Sequence, residues 1–257
     1  MDRAPDVRRD FDLSACSEGG GEDMPGYVIH IAQAYRILDI LGTAYDLPAA
    51  WREAFVTGNL LPDTRLKAEK EISHFWNPAD LDKIAKAPDL SLFLGKYGDR
   101  LDEPVLLGYL SHLFLDALYV ERFWPRIISF QDAEGRQREK SSEISRVFVN
   151  RLGTTVPVAD FFSEKYYYGD YTKMNAYFMD KYKISPPVWE EVRTFDMDEV
   201  CLADMALICS ELKKLRGRCH RGDEEDLKVF CLEELEEFME ETCREFLADE
   251  RWKICIS

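Results

Sequence analysis

The sequence predicts an all-α protein, a multi-helix bundle folded as one domain, on three observations. Apolar residues recur at three- and four-residue spacing through most of the chain after Pro25. No stretch alternates apolar and polar residues with the period of two that a half-buried strand requires. The segment from Glu103 to Tyr119 is apolar on nearly every side, as a helix in the middle of a bundle must be. With no internal repeat and no dividing linker, the expected organisation is a tail over 1–23 and a single helical domain over 24–257.

The elements follow in order. Residues 1–23 are polar and glycine-rich and lack the apolar stretch of a secretory signal, so they read as a flexible tail. Pro25 suits a first helical turn. His30, Ala34, Ile37 and Leu41 then form one stripe, widened by Ile31, Tyr35 and Leu38, which points His30 inward. A second helix begins across Leu47 to Phe55 and ends near Gly58 and Asn59. Leu60 to Asp63 is a loop or a restarted turn, since proline restricts the residue before it. His74, Phe75 and Trp76 follow the charged segment from Lys67 to Glu71, and Asn77 is placed to cap a new helix.

Beyond the central helix, the polar stretch from Gln131 to Ser142 reads as a surface excursion or loop. Tyr166 to Tyr171 lead into a helix running to about Tyr182, broken at Ser185-Pro186-Pro187; packing explains the tyrosines better than a substrate mouth. A further helix spans Asp196 to Leu215, and Arg216 to Asp223 is a polar hinge. The last helix, Glu224 to Glu250, gathers Leu227, Cys231, Leu235, Phe238, Cys243 and Phe246 on one side against an acidic, solvated face.

Composition narrows the functional classes. The chain of 257 residues is 46% hydrophobic, enough for one large core. Its 49 acidic residues outnumber 33 basic ones, and the net charge of -16 argues against docking on duplex nucleic acid or an anionic membrane, which both need a basic footprint. A small phosphate ester stays compatible, because a bound metal supplies local positive charge. No stretch approaches a membrane span, and the cytoplasm is the expected compartment. The seven cysteines are odd in number and contain no C-x-x-C, so they read as free thiols, and Cys219, His220 and Cys231 are not read as a metal site.

Five residues concentrate the chemistry: His30, Asp63, His74, His112 and Asp116. His112 and Asp116 lie one helical turn apart, so both side chains aim at one point. A carboxylate inside an apolar helix must be paired or bound to a cation, and imidazole with carboxylate suits zinc or a similar metal. Taken singly, each residue has a plainer reading. His30 is a core histidine, Asp63 a helix cap, His74 an aromatic packing residue, and His112 with Asp116 a hydrogen-bonded pair. Convergence of all five is the alternative to those separate accounts.

The ordered set of His30, Gly58-Asn59-Leu60-Leu61-Pro62-Asp63, Ser73-His74-Phe75 and the run from Gly108 through His112 to Asp116 resembles the zinc-dependent phospholipase C family, which is related to the fungal single-strand nucleases. The resemblance covers residues from about 24 to 124. It implies a helical bundle of the phospholipase C type enclosing zinc, with Asp63, His74, His112 and Asp116 around one ion and His30 with a bridging Asp116 around a second. It further implies an activated water attacking phosphorus, with Asp63 as general base. The family's later ligands, which complete a third metal position, have no match. No histidine lies between His112 and His220, and nothing in their spacing selects among Glu121, Asp160, Glu164 and Asp170 as substitutes. The expectation is therefore a hydrolase of phosphate esters, phosphodiester or phospholipid-headgroup-like, with one to two zinc ions. The alternative is a degenerate, non-catalytic relative, a helical binding or scaffold module with a structural metal or polar core. A nucleotide phosphohydrolase of the His-Asp type is disfavoured because no His-Asp dipeptide occurs, and acyl transfer because His112 and Asp116 sit in a buried stripe.

Overall fold

In a computed structural model the chain is described over residues 26–65, 69–187, 189, 197–218 and 226–253. The tail expected over 1–23 lies outside these residues, as do Cys16, Cys219, His220 and Cys255. Its helices, in chain order, are α1 (Tyr27–Gly42), α2 (Ala49–Gly58), α3 (Lys70–Ser73), α4 (Leu90–Tyr97), α5 (Pro104–Leu118), α6 (Trp124–Ile127), α7 (Val158–Phe161), α8 (Tyr167–Lys181), α9 (Leu202–Arg218) and α10 (Leu232–Ala248). Helix α5 occupies the centre, with Pro104 in its first turn and every residue from Val105 to Leu118 buried. It packs against α1, α2, α4 and α10, while α1 also touches α8 and α10. The expected all-round apolar helix is thus the axis of the bundle.

Two glycines set the closest of these contacts. A Cβ added at Gly108 would meet the Phe55 carbonyl oxygen at 2.1 Å, and one at Gly58 would meet the Val105 carbonyl oxygen at 2.1 Å. Helices α2 and α5 therefore touch backbone to backbone, each through a residue without a side chain. Gln33 of α1 adds a polar tie across the core, donating to the Ser111 carbonyl at 3.1 Å and to its hydroxyl at 3.2 Å.

The protein is mostly helical, as the sequence predicts, but it also carries one small sheet that the all-α expectation did not include. Strands β1 (Ile128–Gln131), β2 (Arg146–Val149) and β3 (Thr154–Pro157) form an antiparallel sheet in the order β1-β2-β3. Ile128 pairs with Val149 and Val147 with Val156, so the apolar members share the covered face. The expected surface excursion after Gln131 is the β1–β2 connection, held by the Asp132 carboxylate. That group accepts from the Glu134 and Arg136 amides at 3.0 and 2.9 Å and from the Arg136 and Arg138 side chains. Four-residue strands show only two inward positions each, too few for a period of two to register.

Other boundaries shift for local reasons. Asn77 caps as expected, its Oδ1 accepting from the Ala79 amide at 2.9 Å, but only a 3₁₀ turn over Pro78–Asp80 follows. The tyrosines at 167 and 171 belong to the first turns of α8 rather than preceding it, and their hydroxyls join Tyr119 in a buried network. Helix α10 starts at Leu232, not near Glu224, because the buried Asp170 carboxylate accepts the amides of Lys228, Val229 and Phe230 at 2.8, 2.7 and 3.3 Å. Amides tied to a side chain in this way are diverted from the helical ladder. Helix α9 begins at Leu202 rather than Asp196 and continues to Arg218 through the start of the expected hinge, while residues 219–223 lie outside the described set. Cys201, Cys209, Cys231 and Cys243 lie outside any disulfide. No helix among the described residues is long and apolar enough to cross a membrane.

Candidate metal centre

The five residues singled out in the sequence meet at one place. His30 comes from the first turn of α1, Asp63 from a 3₁₀ turn over Leu61–Thr64, His74 from the end of α3, and His112 and Asp116 from α5. The rings of His30 and His112 stack at 3.5 Å with 10° between their planes. His30 Nε2 lies 3.2 Å from Asp116 Oδ1, and His112 Nε2 lies 3.2 Å from Asp116 Oδ2. His74 Nε2 is 3.6 Å from that same Oδ2 and 3.7 Å from Asp63 Oδ1. The carboxylate of Asp116 thus faces two positions, one on each oxygen.

Second partners orient the rings. His112 Nδ1 is 2.9 Å from the Asn59 carbonyl, and His74 Nδ1 is 3.2 Å from the Lys70 carbonyl. A carbonyl accepts only, and the Ser73 hydroxyl, 3.1 Å from His74 Nδ1, can accept as well, so this arrangement assigns the proton to both Nδ1 atoms and leaves lone pairs on both Nε2 atoms in the neutral rings. Those two Nε2 atoms are 3.3 Å apart. Around them both oxygens of Asp116, Oδ2 of Asp63 and both nitrogens of His30 are buried with no hydrogen-bond partner. Apart from the one N–H that His30 carries, this enclosed set consists of acceptors, and such an excess is electrostatically costly unless a further proton or a cation lies among them.

The spacing is that of a coordination sphere. Nitrogen and oxygen donors about 2.0–2.1 Å from a tetrahedral ion stand about 3.4 Å apart. Four donor pairs among Asp63, His74, His112 and Asp116 are separated by 3.2, 3.3, 3.6 and 3.7 Å. Two groupings lie within metal-binding reach, Asp63 with His74 and His112, and His30 with His112 and Asp116. His112 has one free nitrogen and serves one ion, which leaves the position beside His30 with His30 and the outer oxygen of Asp116. The donors therefore form two adjoining three-residue groups that compete for the one free nitrogen of His112, so a full set serves one position and leaves the other more open.

Electrostatics agree with this arrangement. Burial would raise the Asp116 carboxyl, but the positive charge available on His112 and His30 outweighs it and holds the group far below the carboxylate range. Burial likewise opposes ionisation of Asp63, and the ammonium of Lys70, followed by the three histidines, overcomes it. Burial and then Lys70 lower His74 from 6.5 to about 3. Burial and the neighbouring His112 lower His30. Burial also disfavours charge on His112, but Asp116 prevails and raises it, so a lone proton in the cluster settles there.

Several supporting residues were not singled out from the sequence. Lys70 sits 3.5 Å from Asp63 Oδ1 and supplies the carbonyl that orients His74. The Tyr109 hydroxyl donates to the Ser73 carbonyl at 2.5 Å, tying α3 to α5. Asn59 acts through its backbone, and the sequence marked it only as part of a helix end and of the Gly58–Asp63 run, with nothing to pair it with His112. The carboxylates considered for a third metal position do not join the cluster. Glu121, Asp160 and Glu164 are exposed, and Asp170 serves the amides before α10.

Comparisons with protein-family models, curated proteins and solved structures found no match to this chain.

Proposed function

We propose that this protein is a metal-dependent hydrolase of phosphate esters, holding one to two zinc ions at the His30, Asp63, His74, His112 and Asp116 cluster. The observation that carries the reading is the pair of Nε2 lone pairs, 3.3 Å apart, over a carboxylate with no hydrogen-bond donor. Imidazole and carboxylate donors at tetrahedral spacing suit zinc. Their order along the chain is that of the zinc-dependent phospholipase C family, and this similarity supports phosphate esters, diester or headgroup-like, as the substrate class. When bound, such ions supply a Lewis acid and an activated water. Asp116 would bridge the two positions, and His30 would complete the more open one. Asp63 is acidified by Lys70, which makes it a strong anionic ligand and a weak proton acceptor, so we assign it first to the metal and only second to proton transfer. A cytoplasmic location belongs to the same proposal and rests on the lack of disulfides among the described cysteines.

Burial favours a second reading, a structural metal in a non-catalytic module. Four of the five side chains are sealed, and Asp63 is the most open at 12%. One experiment separates the two. Protein purified without chelator is assayed for metal content and for hydrolysis of p-nitrophenyl phosphate and bis(p-nitrophenyl) phosphate, beside Asp63→Asn and His112→Ala. The hydrolase reading expects zinc together with turnover that both variants lose while staying folded. Zinc that raises the melting temperature without any turnover selects the structural reading.

A further inference from the structure

Lys70 brings a permanent cation to a cluster built to receive cations, and that placement needs a physical reason. Its ammonium is 3.5 Å from Asp63 Oδ1, longer than the roughly 2.7–2.9 Å of a tight charge-assisted hydrogen bond. Asp63 Oδ1 is also the oxygen that faces His74. The ammonium therefore lies one carboxylate oxygen away from the inner metal position. Lys70 and Asp63 form the least enclosed edge of the cluster, with side chains 15% and 12% exposed against essentially none for the other four residues. The Lys70 carbonyl meanwhile fixes the His74 ring, so the side chain can change without releasing that ligand.

Charge decides what this edge would accept. Asp63 and Asp116 contribute two negative charges and Lys70 one positive charge, leaving the protein shell with a single negative charge. With the open position filled as well as the inner one, two divalent ions would turn that into three positive charges in a largely dry site, a state that needs anions beside it. A hydroxide and a doubly charged phosphoryl group together neutralise it, whereas a hydroxide and a singly charged diester leave a positive charge uncompensated.

Resting on the hydrolase reading above, we propose that Lys70 receives a phosphoryl oxygen at the Asp63 edge and makes the site selective for doubly charged phosphomonoesters over singly charged diesters. The test is calorimetric binding at pH 8 of methyl phosphate and dimethyl phosphate to the zinc-loaded full chain, with zinc content measured in parallel. The wild-type protein should bind methyl phosphate the more tightly. Lys70→Met should weaken methyl phosphate about tenfold or more, the worth of one hydrogen bond to a charged group, and leave dimethyl phosphate nearly unchanged. Lys70→Arg should keep the preference, and zinc content should match wild type in both variants. Lys70→Gln, read the same way, replaces Lys70→Met if that variant does not fold. Equal weakening of both ligands, or of neither, overturns the role of Lys70 and leaves the hydrolase reading standing. A zinc-loaded wild type that binds neither ligand overturns both.

Discussion

His74 Nε2 and His112 Nε2 point at each other across 3.3 Å, each ring turned there by a backbone carbonyl on its far side. Between neutral rings such a contact is repulsive, so the gap holds either a proton or a metal ion. Without a metal the proton belongs to His112, whose pKa Asp116 raises above 6.5 against the opposing effect of burial. Zinc binding must therefore expel that proton. Titration calorimetry in buffers of different ionisation enthalpy should show proton release on binding of the inner zinc at pH 6.5, growing toward one proton at lower pH and falling toward none as the pH passes the raised value. A release of zero at pH 6.5 would remove His112 from the ligand set.

The Asp116 carboxylate reaches toward both positions, with Oδ1 toward His30 and Oδ2 toward His112 and His74. Asp116→Asn keeps the shape but turns one oxygen into a donor, and it removes the charge that both positions use. Loss of supporting second partners alone costs metal sites about 10–100-fold in affinity, and loss of the bridge should exceed that. Metal analysis after dialysis should find zinc content cut to at most one ion and the remaining affinity lowered by more than about a hundredfold. Wild-type zinc content in this variant would show that the bridge is not used.

The Asn59 carbonyl reaches His112 because α2 and α5 touch at Gly58 and Gly108. A methyl group at 108 would stand 2.1 Å from the Phe55 carbonyl oxygen, and because the obstacle is backbone, helices α2 and α5 themselves must shift apart. Gly108→Ala should cost about 1–3 kcal/mol of stability, the range for overpacked cores, despite the better helix propensity of alanine. It should also weaken zinc binding, since His112 follows one turn later. Gly95 in α4 is the control: nothing lies within 4 Å of an added Cβ, and Gly95→Ala should be neutral or stabilising by up to about 1 kcal/mol. Chemical denaturation of both variants, with zinc affinity measured alongside, checks the contrast.

What the sequence disclosed follows from how each feature is encoded. The helix from Pro104 to Leu118 is a long apolar run, and His112 with Asp116 is a one-turn spacing, so both are local patterns and visible as such. His30 declared its inward direction through the stripe of α1. The supporting contacts are not local: Asn59 and His112 are 53 residues apart, and Gln33 and Ser111 are 78 apart. Asn59 acts through a carbonyl that every residue type possesses, so no side-chain pattern could announce it. The sheet failed to register because each strand is four residues long, and the start of α10 was misplaced because Asp170, far away in the chain, withholds three amides from the helix.

The histidines also set a dependence of stability on pH, and its sign follows from their opposite shifts. His74 falls from 6.5 to about 3, and His30 is lowered as well, so over that interval the unfolded chain binds more protons than the folded one. Stability from these two rings is therefore present above 6.5 and lost as the pH drops below it. His112 acts the other way, because its raised value stabilises the fold below 6.5 and that contribution fades as the pH rises through the folded value. Asp63 and Asp116, both lowered, add stability above about 3.8 that disappears in stronger acid. Two imidazoles outweigh one, so the metal-free protein should lose stability from pH 6.5 to pH 4, by no more than about 1.4 kcal/mol per pH unit for each net proton taken up. Zinc stabilises by binding the deprotonated ligands, so the gap in melting temperature between zinc-loaded and metal-free protein should narrow over the same interval. Melting curves at half-unit pH steps, with and without zinc, measure both effects. A metal-free melting temperature that climbs on acidification from 6.5 would mean that His112 alone governs the cluster and that His30 and His74 are already charged in the fold.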